Sequence, residues 1–201
     1  MDADQKSEEL DRLRERVRAL EAEVERESER PWQPPKFYTA YYATTGFLLG
    51  TFGAVTSLLF NVVGASLVGK HPLELIRVYL TFPMGEKARG IESGMTLAIG
   101  CCLYIGAGMF LGMLFQLAIA RFAPRASLAG RLALASGLAI GVWIVNYYLI
   151  LSWLQPLLFG GNWIVEEIPA WVAALTHLVF GWTMAVVYPL GEFYPYRVES
   201  E

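Results

Sequence analysis

Charged residues are scarce over most of this chain, and they are concentrated at its beginning. Residues 1–36 hold eight of the sixteen Lys and Arg and eleven of the nineteen Asp and Glu, so the net charge of −3 arises there. A surface that binds nucleic acid needs a stripe of basic residues to neutralise phosphates, and the sequence contains none. We therefore expect no nucleic-acid partner.

Cysteine and histidine are also rare, which removes most metal and cofactor chemistry. Cys101 and Cys102 are neighbours, so on a helix they point about 100° apart and do not bridge without strain. His71 and His177 lie at different predicted depths, which disfavours a shared haem, and no zinc spacing is present. Motifs of hydrolases, kinases and dinucleotide-binding domains are missing. The sequence predicts no catalytic residue, metal site or cofactor, and a membrane enzyme would have only His177 and the two cysteines to use.

Four long apolar runs make up most of the remaining sequence, at about 41–68, 95–120, 132–154 and 170–190. None contains Lys, Arg, Asp or Glu, and each holds at least about 20 residues, enough to cross a hydrocarbon core of about 30 Å. We name them spans 1 to 4. The sequence therefore predicts an all-α fold, a four-helix transmembrane bundle within residues 37–197.

A short helix is predicted at about 72–83, between spans 1 and 2. Glu74, Arg77 and Thr81 form one polar stripe in an otherwise apolar segment, which begins with Pro72 and ends at Pro83. This pattern is typical of a helix in the bilayer interface, and a plug docked over the bundle is the alternative.

The first 30 residues predict a charged amphipathic helix of coiled-coil type. Apolar residues recur there at intervals of three and four, which is a heptad seam of positions a and d. The seam consists of Leu10, Leu13, Val17, Leu20 and Val24. A proline-rich linker at 31–36 separates this helix from the membrane part.

The charges beside the seam suit a parallel dimer. With Leu10 at position a, Glu9 would face Arg14 of the second copy and Arg16 would face Glu21. Two heptads are marginal in isolation, so membrane anchoring would have to raise the local concentration. The alternative is a solvated amphipathic helix that rests on itself or on another protein.

Basic residues predict the orientation of the spans. Four spans place both termini on one side together with the loop that carries Arg121, Arg125 and Arg131, and this side collects twelve Lys and Arg against four on the other. The positive-inside rule then places the N- and C-termini in the cytoplasm.

Small residues recur at four-residue spacing in all four spans, and such steps let helix backbones approach closely in lipid. They predict a compact bundle, with a dimer interface as the alternative. The steps comprise Gly46, Gly50 and Ala54 in span 1; Gly94, Ala98, Cys102 and Gly106, and separately Gly108 and Gly112, in span 2; and Ala133, Gly137 and Gly141 in span 3. In span 4 the small residues Ala174, Gly181 and Ala185 lie on one stripe with His177.

Three polar residues within the spans are candidates for an internal cluster, because a polar group in hydrocarbon must find a partner. Asn61, Asn146 and His177 fall at similar predicted depths. Their hydrogen bonds would hold helices together, or they would form a proton or ligand site. No carboxylate lies nearby in the spans, which disfavours a proton relay.

Two segments resemble a known kind of membrane protein. The run His71-Pro-Leu-Glu-Leu-Ile-Arg-Val-Tyr-Leu-Thr-Phe-Pro-Met-Gly85, and His177-Leu-Val-Phe-Gly181 with Tyr188, look like uncharacterised small four-helix bacterial inner-membrane proteins of the YagU-like kind. The resemblance covers about residues 40 to 190 and implies a bacterial inner membrane. It carries no catalytic residue across, and the N-terminal arm departs from the pattern.

Two classes of function follow. The first is a non-enzymatic accessory or assembly subunit, anchored among membrane lipids, that binds a protein partner or a second copy through its N-terminal helix. The second is an oligomeric transporter or channel for small solutes, with a polar site around His177.

Overall fold

The structure is a computed structural model that describes residue 9 and residues 12–22, 37–92 and 94–193. The seam positions Leu10 and Val24 and the predicted linker at 31–36 lie outside the described residues. The chain divides into two compact units. One comprises residues 38–193, which we call the membrane bundle, and the other comprises residues 1–37 and 194–201.

Four helices in the described part of the chain are long and apolar enough to cross a membrane, as predicted. Span 1 is Tyr38–Leu67, span 2 is Met95–Phe122, span 3 is Leu128–Phe159 and span 4 is Ala170–Gly191. Even the shortest has 22 residues, which extend about 33 Å at 1.5 Å per residue. The described residues contain no strand, so the fold class is all-α.

The outer surface of these helices is apolar. In the most apolar 18-residue stretch of span 3, only 11% is buried inside the protein. The corresponding share is highest in span 1, at 39%. Phe110, Leu149 and Leu190 are 67%, 64% and 74% exposed. Contiguous apolar surface of this extent is unstable in water, so these faces fit the hydrocarbon of a bilayer.

Spans 1 and 2 pack backbone against backbone. A methyl group added to Gly50 would lie 2.6 Å from the carbonyl oxygen of Gly108, and one added to Gly112 would lie 2.5 Å from the Cα of Gly50. Gly46 meets the same stretch of span 2. Only glycine permits the two backbones to approach this closely. The predicted small-residue step in span 1 and the step at Gly108 and Gly112 in span 2 therefore form the contact.

The other predicted steps in spans 2 and 3 do not pack. A methyl group added to Gly106, Gly137 or Gly141 would meet no atom within 4 Å. Span 3 instead presents Ala135 and Ala139, both fully buried, to Gly181 of span 4. The contact face of span 3 is therefore rotated from the predicted one, because alanines allow close packing as glycines do.

The helix Glu74–Met84, which we call the loop helix, follows span 1 and is largely buried. Ile76 and Leu80 are at most 2% exposed and rest on Gly100 of span 2. Thr81 belongs to the predicted polar stripe, yet it is fully buried. Its hydroxyl has a partner inside the protein, where it accepts a 2.9 Å hydrogen bond from Gln155 Nε2.

Span 3 changes its helical pitch near its middle. The α-helix Leu128–Ile144 passes into a π-helical segment, Val145–Leu151, and then into the α-helix Ser152–Phe159, which contains Pro156. A π-helical turn inserts an extra residue per turn and re-aims the side chains beyond it, and such turns are frequent at functional sites.

Replacing Gly112 by alanine is expected to destabilise the bundle by about 1 to 3 kcal/mol, because the new methyl group overlaps the backbone of span 1. The control Gly106→Ala places the same methyl group in open space on the same helix. Alanine has the higher helix propensity, so the control should be neutral or stabilising by up to about 1 kcal/mol. Thermal unfolding in one detergent measures both, and equal melting temperatures would contradict the packing.

Candidate functional site

A hydrogen-bonded cluster links spans 1, 2 and 4 inside the bundle. Asn61 Nδ2 donates to Thr176 Oγ1 at 2.9 Å and to the carbonyl oxygen of Ser57 at 2.8 Å. The Ser57 hydroxyl lies 2.9 Å from the hydroxyl of Tyr104. Ser57, Asn61 and Thr176 are at most 8% exposed. These groups satisfy one another, as polar groups in hydrocarbon must.

A second buried connection ties the loop helix to the end of span 3. Gln155 is fully buried; its Nε2 donates to Thr81 and its Oε1 accepts from the backbone N–H of Ile164 at 3.0 Å. Sequence reasoning missed Gln155 because the predicted span ended at residue 154. The signal was present, since a glutamine next to a long apolar run needs a partner.

His177 is held by its own helix. Its Nδ1 lies 2.8 Å from the carbonyl oxygen of Ala173, one turn earlier. A carbonyl only accepts, so Nδ1 carries the proton and a neutral ring keeps its lone pair on Nε2. Nε2 has no hydrogen-bond partner among the described residues and is the ring atom left for a ligand.

Asn146 lies in the π-helical segment of span 3. Its side chain makes no hydrogen bond to another described residue, and it is partly buried. An amide offers two donors and two acceptor positions, so Asn146 retains its full capacity to bond to something else.

Asn146 and His177 line one cavity of about 1050 Å³. The walls come from all four spans and the loop helix, and most of the lining side chains are aliphatic or aromatic. Gly137 and Gly141 belong to this wall, which explains why they face open space. The lining extends from Gly137 to Leu154 in span 3 and from Ala173 to Phe180 in span 4, so the cavity reaches from the middle of the bundle to the end that carries the loop helix.

The three predicted cluster residues are therefore only partly brought together. Asn146 and His177 share the cavity, whereas Asn61 bonds to Thr176 and does not contribute to the cavity wall. No hydrogen bond joins any two of the three among the described residues. Thr176 satisfies Asn61 because it lies on the helix face that meets span 1.

Charged residues of two loops form a separate network. Arg77 Nη1 lies 3.1 Å from Glu74 Oε2, and Arg77 Nη2 donates to the carbonyl oxygen of Arg89. Arg89 Nε lies 2.7 Å from Glu167 Oε1 and so connects the first loop to the third. Partly exposed ion pairs of this kind contribute at most about 1 kcal/mol each, so the network positions the loops more than it stabilises them.

Metal-ligating side chains do not gather within the described ranges. No three His, Cys, Asp or Glu side chains there are close enough to hold an ion. Cys101 and Cys102 are both free thiols, and Cys102 is exposed on the outer face of span 2.

In the other unit, the described part of the N-terminal helix presents its apolar residues outward. Residues 12–22 are helical. Leu13, Val17 and Leu20 are 58%, 51% and 54% exposed.

No family model, curated protein or solved structure matches this chain.

The hydrogen bond between Asn61 and Thr176 is expected to couple the two residues by about 1 kcal/mol in a double-mutant cycle. The cycle uses Asn61→Leu, Thr176→Val and the double variant, with unfolding free energies measured in one detergent. The control pair, Asn61→Leu with His177→Leu, should be additive within about 0.5 kcal/mol. Stronger coupling of Asn61 to His177 than to Thr176 would contradict this assignment.

Proposed function

We propose that this chain is a non-enzymatic accessory or assembly subunit of a membrane, and that its N-terminal helix pairs with the same helix of a second copy. The observation that carries the proposal is the row of three large apolar side chains left exposed along one helix. Leu13, Val17 and Leu20 occupy positions d, a and d of the heptads and are each more than half exposed. In a coiled coil these are the positions that enter the partner helix.

Charge complementarity favours a second copy over an unrelated helix. In a parallel homodimer Glu9 faces Arg14 and Arg16 faces Glu21, so each of these pairs is attractive and occurs twice. A helix from another protein would have to reproduce this order of charges independently. In a homodimer the second helix has the same sequence, so it carries this order of charges by symmetry.

The membrane bundle supports the pairing by tethering. A seam of two heptads is marginal for isolated helices in water. Anchoring each copy in the same bilayer confines the helices to a thin layer and raises their effective concentration. The bundle then acts as an anchor, which agrees with buried polar groups that mainly bond to one another.

We further propose a bacterial inner membrane, with both termini in the cytoplasm. The excess of basic residues on the side of the termini supports the orientation through the positive-inside rule. The N-terminal helix then lies in the cytoplasm, where the helices of two copies would pair.

Reversal and restoration of one charge pair tests the homodimer. Copies with two different affinity tags are co-expressed at full length, and the fraction that co-purifies in mild detergent is measured. Glu9→Arg alone and Arg14→Glu alone each turn two attractions into repulsions, which weakens pairing by about 1 to 2 kcal/mol. The double variant restores opposite charges and should co-purify as the natural chain does.

Two controls accompany this experiment. Arg18→Glu changes the charge equally at position b, on the outer helix face, and should leave co-purification unchanged. Removal of residues 1–30 should abolish it. The homodimer is rejected when the double variant pairs no better than either single variant, or when the truncated chain co-purifies undiminished.

A transporter of small solutes is the second candidate, and the shared cavity of Asn146 and His177 favours it. Liposomes that contain the reconstituted protein should then take up at least one solute from a panel. His177→Leu should slow this uptake at least about tenfold. The control Gly106→Leu, which lies outside the cavity wall, should leave the uptake unchanged. A lack of flux over background for every solute would reject this candidate.

A further inference from the structure

The cavity of the membrane bundle combines an apolar wall with a few unsatisfied polar groups. Its volume of about 1050 Å³ lies at the upper end of the range for small-molecule sites. Phe82 and Phe180 contribute aromatic surface, and Asn146, His177 and the hydroxyl of Tyr79 are polar groups without a hydrogen-bond partner among the described residues. Such a combination is typical of sites for amphipathic molecules.

The cavity lies beside span 3, which packs chiefly against span 4 and only lightly against span 2. Side chains from spans 2 and 3 both line it, so it occupies the space between these helices. That space lies at hydrocarbon depth, since Leu111 and Val142 of its wall are near the middle of spans 2 and 3. A molecule dissolved in the bilayer therefore reaches the cavity more readily than one dissolved in water.

Water is a poor occupant of most of this volume. Apolar cavities stay dry because a water molecule needs two to four polar partners. If the cavity were empty, the residues of its wall would lack dispersion contacts on the side that faces the cavity. Hydrocarbon is the filling that matches the wall and the surroundings.

The polar groups select among hydrocarbon-rich molecules. His177 Nε2 accepts a hydrogen bond, and the Asn146 amide both donates and accepts. Among the described residues that line the cavity, none is Lys, Arg, Asp or Glu, so a phosphate or carboxylate head would find no counter-charge. A neutral hydroxyl, which donates and accepts, fits both groups.

We propose that this cavity binds a lipid alcohol, a mostly hydrocarbon molecule with one hydroxyl group that donates to His177 Nε2. The hydrocarbon part occupies the space along Gly137 and Gly141, where no side chain of the protein intrudes. This assignment is independent of the pairing of the N-terminal helix.

Farnesol and its methyl ether form a matched pair of probes, because the ether keeps the chain and the oxygen but has no proton to donate. Full-length protein in lipid nanodiscs is labelled with a diazirine analogue of farnesol, and either unlabelled compound competes. Farnesol should compete at a concentration about tenfold lower than the ether does. Peptide mapping should place the labels on residues of the cavity wall, such as Leu111 of span 2 and Val142 of span 3.

Three variants separate the site from general lipid contact. Gly141→Leu adds a side chain whose Cβ has no atom within 4 Å and which takes up space in the cavity, so it should lower labelling at least about tenfold. Gly106→Leu adds the same side chain on span 2 in open space away from the cavity wall and should leave labelling unchanged. His177→Leu should keep the labelling but let the ether compete as well as farnesol, which a purely structural role of the histidine would not cause.

The proposal is overturned when Gly141→Leu and Gly106→Leu are labelled equally, or when the two probes compete equally in the natural chain. Labels on residues outside the cavity wall, such as Phe110, Leu149 and Leu190 on the outer faces, at the same level as on the wall would identify annular lipid contact only and would overturn it as well. Melting temperatures of each variant, measured in the same nanodiscs, establish that the fold is retained.

Discussion

The close approach of spans 1 and 2 at their glycines is the contact on which the rest of the bundle depends. In lipid no hydrophobic gain drives helices together, so association relies on short-range packing and on hydrogen bonds between helices. Gly50, Gly108 and Gly112 bring the two backbones into contact. The close approach of spans 1 and 2 places Ser57 within hydrogen-bonding distance of Tyr104. On the next turn of span 1, the amide of Asn61 forms a hydrogen bond with Thr176 of span 4.

Glycine has two opposite roles in this bundle. Gly50 and Gly112 remove side chains so that helices touch, whereas Gly137 and Gly141 remove side chains and leave a space. The difference arises because Ala135 and Ala139 of span 3 face span 4. Gly137 and Gly141, also in span 3, therefore lie on a different face of that helix. The π-helical segment then directs Asn146 into the same space.

The two units of the chain meet different solvents. In the membrane bundle, exposed apolar side chains are at home in hydrocarbon, and polar groups turn inward to bond to one another. In the N-terminal helix, charged residues surround a narrow apolar seam that remains exposed at Leu13, Val17 and Leu20. Apolar surface therefore suits lipid in the membrane bundle, whereas in the N-terminal helix it remains exposed.

The sequence by itself determined the fold class and the number of spans. These features follow from hydropathy and charge summed along a local stretch of chain, so charge-free runs near 41–68, 95–120, 132–154 and 170–190 were sufficient. Which helix faces meet was decided only by the tertiary structure. Thr176 rather than His177 bonds to Asn61, and Thr81 faces Gln155 rather than water. Such pairings depend on the rotation and the depth of each helix relative to its neighbours. A shift of one residue, as in the π-helical segment of span 3, changes the rotation and the depth of the side chains that follow it. The hydropathy of the apolar stretch stays the same, so the sequence pattern does not reveal the shift.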